Sequence, residues 1–249
     1  MFDPITLGAL AAVGMLAGFV DAIAGGGGLI TLPVLLSIGF SPVAAIATNK
    51  LQGSIGTGIA VTTYWRRGYV PAKQLLLAFP ITLLGSLAGA FVVKRIDTSA
   101  LQVAFPVALL AVATYFFFAP RLTDEDKVAR LPFPGMVPFL GLVLGFYDGL
   151  LGPGTGSFFT VGFVTLFGLG ITRAAGSTKF LNFASNLGAV ILFVPSGDVV
   201  WPAAIAMAIG QVAGGYLGAL TGIRFGGRLI RPLVVIVSVV LALRLLFTH

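Results

Sequence analysis

The sequence predicts an all-α integral membrane protein: eight full transmembrane helices plus two short half-helices after glycine-rich breaks, arranged as two inverted-topology repeats. Three observations predict it. Apolar residues fill 57% of the 249 positions and charged residues only 9%, where a soluble domain carries about a quarter charged. The few charges gather in short connectors instead of along helix faces, so a soluble fold would lack a polar exterior. The chain also repeats itself, the sign of a duplicated architecture.

Apolar runs long enough to cross a hydrocarbon core of about 30 Å lie at Ile5–Ala24, Val43–Tyr64, Pro71–Val93, Ala100–Phe118, Gly135–Leu151, Ile171–Val194, Trp201–Ile223 and Leu229–Phe247. The first is long and lacks a positively charged region before it, so a retained span is expected instead of a signal peptide. Two shorter pieces, Leu29–Phe40 and Ser157–Leu169, each follow a glycine-rich break. As a helix, Leu29–Phe40 rises only about 18 Å. Four extended residues, Gly25 to Gly28, would add about 13 Å, and the sum approaches the core thickness. Irregular backbone inside a bilayer is tolerated only where protein encloses it around a cavity, so the breaks place a binding site.

Gly18, Phe19, Asp21, Gly25 and Gly27 recur as Gly145, Phe146, Asp148, Gly152 and Gly154 at a constant offset of 127; after a small insertion, Gly39, Ala45 and Lys50 recur as Gly168, Ala174 and Lys179 at an offset of 129. A polar linker with Asp124, Glu125, Asp126 and Lys127 separates the copies. The expected organisation is a first transmembrane repeat at 1–119, a cytoplasmic linker at 120–134 and a second repeat at 135–249. With five crossings per half, Arg66, Arg67, Lys73, Arg121, Lys127, Arg130, Arg173, Arg224, Arg228 and Arg231 share one side, against Lys94, Arg95 and Arg244 on the other. The positive excess marks the cytoplasmic side, which puts both termini outside the cytoplasm. An odd number of crossings inverts one half relative to the other, an arrangement common among secondary carriers. Four crossings per half would sort the charges less cleanly.

There is no cysteine and the lone histidine is His249, which excludes disulfide frameworks, thiolate or imidazole metal sites, and cysteine or histidine catalysis. No metal, cofactor or catalytic residue is expected. The formal charge of +7 is scattered between apolar runs and makes no basic stripe for nucleic acid. The glycines lack the lysine spacing of a nucleotide-binding loop.

A broken helix presents free N–H groups and partial positive charge, which suit an anion, and glycine lets the anion reach the backbone. Close helix packing is the better account of Gly85 and Gly89, or Gly210, Gly214 and Gly218. It is a weak account of Gly25, Gly26, Gly27 and Gly28 and their counterparts Gly152, Gly154, Thr155, Gly156 and Ser157. Four ionisable residues fall at depth as two symmetric pairs, Asp21 with Asp148 and Lys50 with Lys179. Each costs at least about 2.5 kcal/mol to bury in a membrane. Two readings stay open: ion pairs within each half, Asp21 to Lys50 and Asp148 to Lys179, or lysines that draw in an anion while the aspartates accept protons or hold the lysines. Thr48, Asn49 and Gln52 in the first half, and Ser177, Thr178, Asn182 and Asn186 in the second, could donate to an oxyanion or bond between helices. A helix starting near Ala44 sets Thr48, Gln52 and Ser54 or Ile55 about one turn apart. Gln211 ranks lower. An anion channel would use the same features, and an intramembrane enzyme would need Asp21 and Asp148 as an aspartyl dyad.

The segments GFVDAIAGGGGLITLP (Gly18 to Pro33) and ATNKLQ (Ala47 to Gln52), with GFYDGLLGPGTGSF (Gly145 to Phe158) and STKFLNFASN (Ser177 to Asn186), resemble the TauE/SafE family of anion exporters, within the wider sulfonate and sulfite permease group. The resemblance covers nearly the whole chain. It implies a multi-pass transporter of the inner (plasma) membrane, moving sulfite, a sulfonate or a related sulfur oxyanion. The expected partners are a small anion and the lipid bilayer, with a homodimer as a further expectation. One departure is Thr178 where the first half has Asn49, which implies unlike polar shells around the two lysines.

Overall fold

Helix α1 (Pro4–Ala24) starts where Asp3 caps it: the carboxylate accepts from the Thr6 amide at 2.8 Å, and Pro4 supplies a helical φ. It ends at Gly25, whose φ of 80° is left-handed and suits glycine. After Gly26 the chain re-enters helix as α2 (Gly27–Ser37), followed by α3 (Pro42–Arg66), the short α4 (Ala72–Leu75) and α5 (Ala78–Val93). The later part repeats the pattern with α6 (Phe133–Leu150), a break holding left-handed Gly152 and Gly154, then α7 (Thr155–Thr165), α8 (Ile171–Phe193) and α9 (Trp201–Phe225). The computed structural model describes residues 2–97, 99–101, 103, 107, 124–226 and 229, and no strand occurs among them.

The helices α1, α6 and α9 are long and apolar enough to cross a membrane. Helices α3 and α8 have the length, 25 and 23 residues, but bury polar residues along it. Two expectations change. The four extended glycines are absent, because Gly27 and Gly28 are already helical. The reason is Asp21, in the last turn of α1, whose Oδ1 accepts from the Gly27 amide at 3.1 Å and so caps α2 early. The 11 residues of α2 then rise about 16 Å, half the core. The run from Pro71 is also cut, into α4 and α5. The runs Ala100–Phe118 and Leu229–Phe247 fall almost wholly outside the described residues.

The molecule is apolar outside and polar inside. Leu16, Leu84, Phe139, Ile191 and Ile209 are exposed, whereas Lys50, Gln52, Lys179, Asn186 and Gln211 are buried. Lipid is the solvent that favours this distribution.

Small residues set how the helices pack. On α1 and α9, Gly14 meets Met207, Gly18 meets Gln211 and Gly218 meets Phe19, so the neighbours advance together and the helices run parallel. Helices α5 and α6 are likewise parallel, Gly141 meeting Thr82 and Gly149 meeting Ser86. So are α3 and α9, through Gly56 with Gln211 and Tyr64 with Gly222, and α5 and α8, through Phe79 with Phe180 and Leu83 with Gly188. Helices α3 and α8 run opposite ways: Thr48 bonds Val200 beyond the end of α8, Gly53 faces Asn186, Gly58 faces Phe183, and Tyr69 beyond α3 faces Gly176 before the middle of α8. The pairs in most extensive contact, α1 with α9 and α5 with α6, join an early helix to a late one. At Gly85, Gly89, Gly210, Gly214 and Gly218, opposing backbone occupies the space where a Cβ would stand. These glycines are therefore packing residues, as their spacing predicts.

One end of the bundle gathers Tyr69, the linker and the start of α8. The amide of Lys127 donates to the Gly168 carbonyl at 2.7 Å, and the amide of Gly170 donates to Asp126 Oδ1 at 2.6 Å. Asp126 also pairs with Arg173. Helix α3 has Ser41 as its own cap, its Oγ accepting from the Ala44 amide. The matching residue before α8 is Gly170, which has no side chain to cap the first turn; Asp126 instead holds the Gly170 amide itself. The Gly170 hydrogen bond, and then Arg173, hold the Asp126 carboxyl below its usual 3.8. A depressed folded value gives stability that is present above the unfolded value and lost as pH falls through the folded one. Acidification below about pH 4, or Asp126→Asn at neutral pH, is expected to raise hydrogen exchange at Gly170 and Lys127, corrected for intrinsic rate. Unchanged protection in Asp126→Asn would count against the clamp.

Candidate functional site: a polar cavity between two broken helices

The two breaks meet inside the bundle. The amide of Ser157 donates to the Gly25 carbonyl at 3.2 Å and its Oγ to the Ala24 carbonyl at 2.5 Å. The start of α7 thus satisfies the carbonyls that end α1, which a helix end inside a membrane requires. Each short helix is then bound to the long helix after it by an equivalent hydroxyl: Thr31 Oγ1 to Asn49 Oδ1 at 2.5 Å, and Thr160 Oγ1 with Thr178 Oγ1 at 3.0 Å.

The two lysines are 1% exposed. Their partners correct the within-half pairing. Lys50 Nζ stands 2.7 Å from Asp148 Oδ2, and Lys179 Nζ stands 2.9 Å from Asp21 Oδ2. The pairs are crossed: each aspartate meets the lysine of the other copy. Ser185 Oγ also donates to Asp148 Oδ2, at 2.6 Å. Each carboxylate engages a lysine.

Beside Lys50 lies a cavity offering about 30 Å³ to the centre of a water-sized sphere. One water needs about 10–15 Å³ on that measure, so the space matches about two waters. Glycines from both breaks line it, with Asp21, Asp148, Asn49, Lys50, Gln52, Thr155, Asn182 and Asn186. All of these side chains except Asp21 are buried. Asn182 Oδ1 has no hydrogen-bond partner; an unmet buried acceptor costs about 1–3 kcal/mol.

The family model for the sulfite exporter TauE/SafE matches residues 10–245. The chain belongs to the TauE/SafE family, a family of membrane transporters. It is 44% identical over 232 residues to the probable membrane transporter protein ORF9 of Sinorhizobium sp, covering 93% of this chain and 88% of that one. To the probable membrane transporter protein YfcA of Escherichia coli K12 it is 40% identical over 248 residues, 99% of this chain and 92% of the relative. A probable membrane transporter protein of Haemophilus influenzae is 39% identical over 97% of this chain and 94% of its own. No solved structure matches.

Several residues singled out in this TauE/SafE chain by sequence do other work. Gly26 is outside the cavity lining. Thr48 accepts from the Val200 amide at 3.1 Å, Ser157 bonds Ala24, Ser177 bonds the Arg173 carbonyl and Thr178 bonds Thr160. Lys179 stands behind Asp21 and does not line the cavity. Ile55 faces outward. Gln211, ranked low, does line the cavity and donates to Gln52 Oε1. Gly53 and Thr57 were missed; Thr57 Oγ1 accepts from Asn186 Nδ2 at 3.3 Å. Thr57 and Asn186 share the offset of 129, and aligning the copies residue by residue past the lysines would have found them.

Proposed function

We propose that this TauE/SafE protein is a secondary carrier for a small sulfur oxyanion such as sulfite, bound in the cavity between two inverted repeats. The observation that carries the reading is Lys50, buried beside glycines of both broken helices in a space of about two waters. That size favours a compact inorganic oxyanion over an organosulfonate with a long tail. Inversion is supported by helix direction, since α1, α3 and α9 point one way and their counterparts α6, α8 and α5 point the other. Alternating access is then a rocking of one half on the other about this site. An inner-membrane location with the linker cytoplasmic is supported by Arg66, Arg67, Lys127, Arg130, Arg173 and Arg224 at the linker end.

Proteoliposomes screened with sulfite, sulfate, thiosulfate, sulfonates and carboxylates are expected to show saturable counterflow of the small oxyanions. Conductance far above carrier turnover would turn the reading to a channel, and no flux of any anion would end it. Lys50→Ala and Lys179→Ala are each expected to lower flux about tenfold or more, the effect of losing a charge-assisted hydrogen bond at or beside the site.

A further inference from the structure

The charges gathered at the cavity cancel. Lys50 and Lys179 are matched by Asp21 and Asp148, so an added anion would leave net negative charge among buried groups, which is strongly unfavourable. The two aspartates are held differently. Asp21 is gripped on both oxygens, Oδ1 by the Gly27 amide and Oδ2 by Lys179. Asp148 has both of its partners, Lys50 and Ser185, on Oδ2, which leaves Oδ1 to take a proton. Lys50, unlike Lys179, is on the cavity wall.

We infer that a monovalent oxyanion binds by replacing Asp148 on Lys50, while the displaced Asp148 carboxyl takes up about one proton per anion. The inference rests on reading the cavity as an anion site. The Lys50–Asp148 ion pair breaks, a Lys50–oxyanion pair forms, the proton comes from the aqueous phase, and the net charge of the cluster stays zero. Ser185 accommodates the acid, because its hydroxyl has a second acceptor, the Asn182 carbonyl at 3.0 Å. With the proton on Oδ1, the hydroxyl either keeps donating to Oδ2 or turns to that carbonyl. The other charged groups near Asp148 are Lys50 on α3 and Asp21 on α1, which also acts on Lys50. The adjacent Tyr147 has its hydroxyl committed to the Pro153 carbonyl at 2.8 Å. Asn182 Oδ1, without a partner at the cavity, accepts a hydrogen bond from an anion that carries its own proton. Because Lys50 and Asp148 belong to different halves, the exchange also releases one half from the other, which ties anion binding to movement.

Calorimetric titration of sulfite into the purified full-length protein, in buffers of different ionisation enthalpy and at a pH where the probe is the monoanion, counts the protons. Sulfite's own titration is measured in the same buffers without protein. Uptake of about one proton per bound anion is expected. Binding without proton uptake overturns the inference and leaves the anion site standing, whereas absence of flux for every anion in the liposome screen removes the site itself. Asp148→Asn removes the competing carboxylate, and is expected to bind sulfite about tenfold more tightly with no proton uptake. Unchanged proton uptake in this variant overturns the role of Asp148. Should the variant not fold, the wild-type proton count decides alone.

Discussion

Reversing Lys50 and Asp148 together, as Lys50→Asp with Asp148→Lys, restores the folded, inserted protein that either single reversal loses; Lys50→Asp with Asp21→Lys does not. Breaking a buried ion pair by removing one partner costs about 3–5 kcal/mol, since the other charge is left unpaired. The observed pairs, Lys50 with Asp148 and Lys179 with Asp21, make the two double variants opposite in effect. The first keeps a plus opposite a minus at both places. The second sets a new carboxylate against that of Asp148 and a new ammonium group against that of Lys179. Yield and thermal stability of detergent-solubilised protein read the result, and equal recovery of both double variants would refute the crossed pairing. Flux through the recovered variant is expected to remain low, because its lysine projects from another helix.

Gly25→Ala is the second change with a large expected effect. At a φ of 80° any side chain costs about 1–2 kcal/mol. A Cβ there would also press into the backbone of Gly156 and Ser157, where the two breaks are joined by the Ser157 amide and hydroxyl. Both the melting temperature and the flux should fall, the flux by about tenfold or more, since a displacement near 1 Å can disable a site. Gly39→Ala is the control: its φ is 92° but nothing lies within 4 Å of the added Cβ. It bears the conformational cost alone and should lose less stability with little loss of flux. Equal losses in the two variants would mean that backbone strain, not contact between the breaks, makes Gly25 necessary.

Particular residues show what could be read without coordinates. Asp21, Lys50, Asp148 and Lys179 stand out in sequence because charge in an apolar run is costly and these recur in register. The packing glycines are legible from their spacing. The start of α2 is not, because the cap that draws Gly27 into the helix is a side chain of the preceding helix, Asp21. Thr48, Ser177 and Thr178 are polar and next to the lysines in sequence, yet a helix turns about 100° per residue, so neighbours along the chain face different partners. Gln211 is remote in sequence and comes to the cavity on α9, through contact with α3.

Composition and repetition by themselves determined the solvent, the duplication, the two glycine breaks and which four charges lie deep, because each follows from the free energy of placing a residue type in lipid or from local backbone geometry. Which aspartate meets which lysine, and which polar groups share the cavity, was decided only by tertiary structure. Those are contacts between residues about 100 to 160 positions apart, and they depend on how helices of one copy lie against helices of the other.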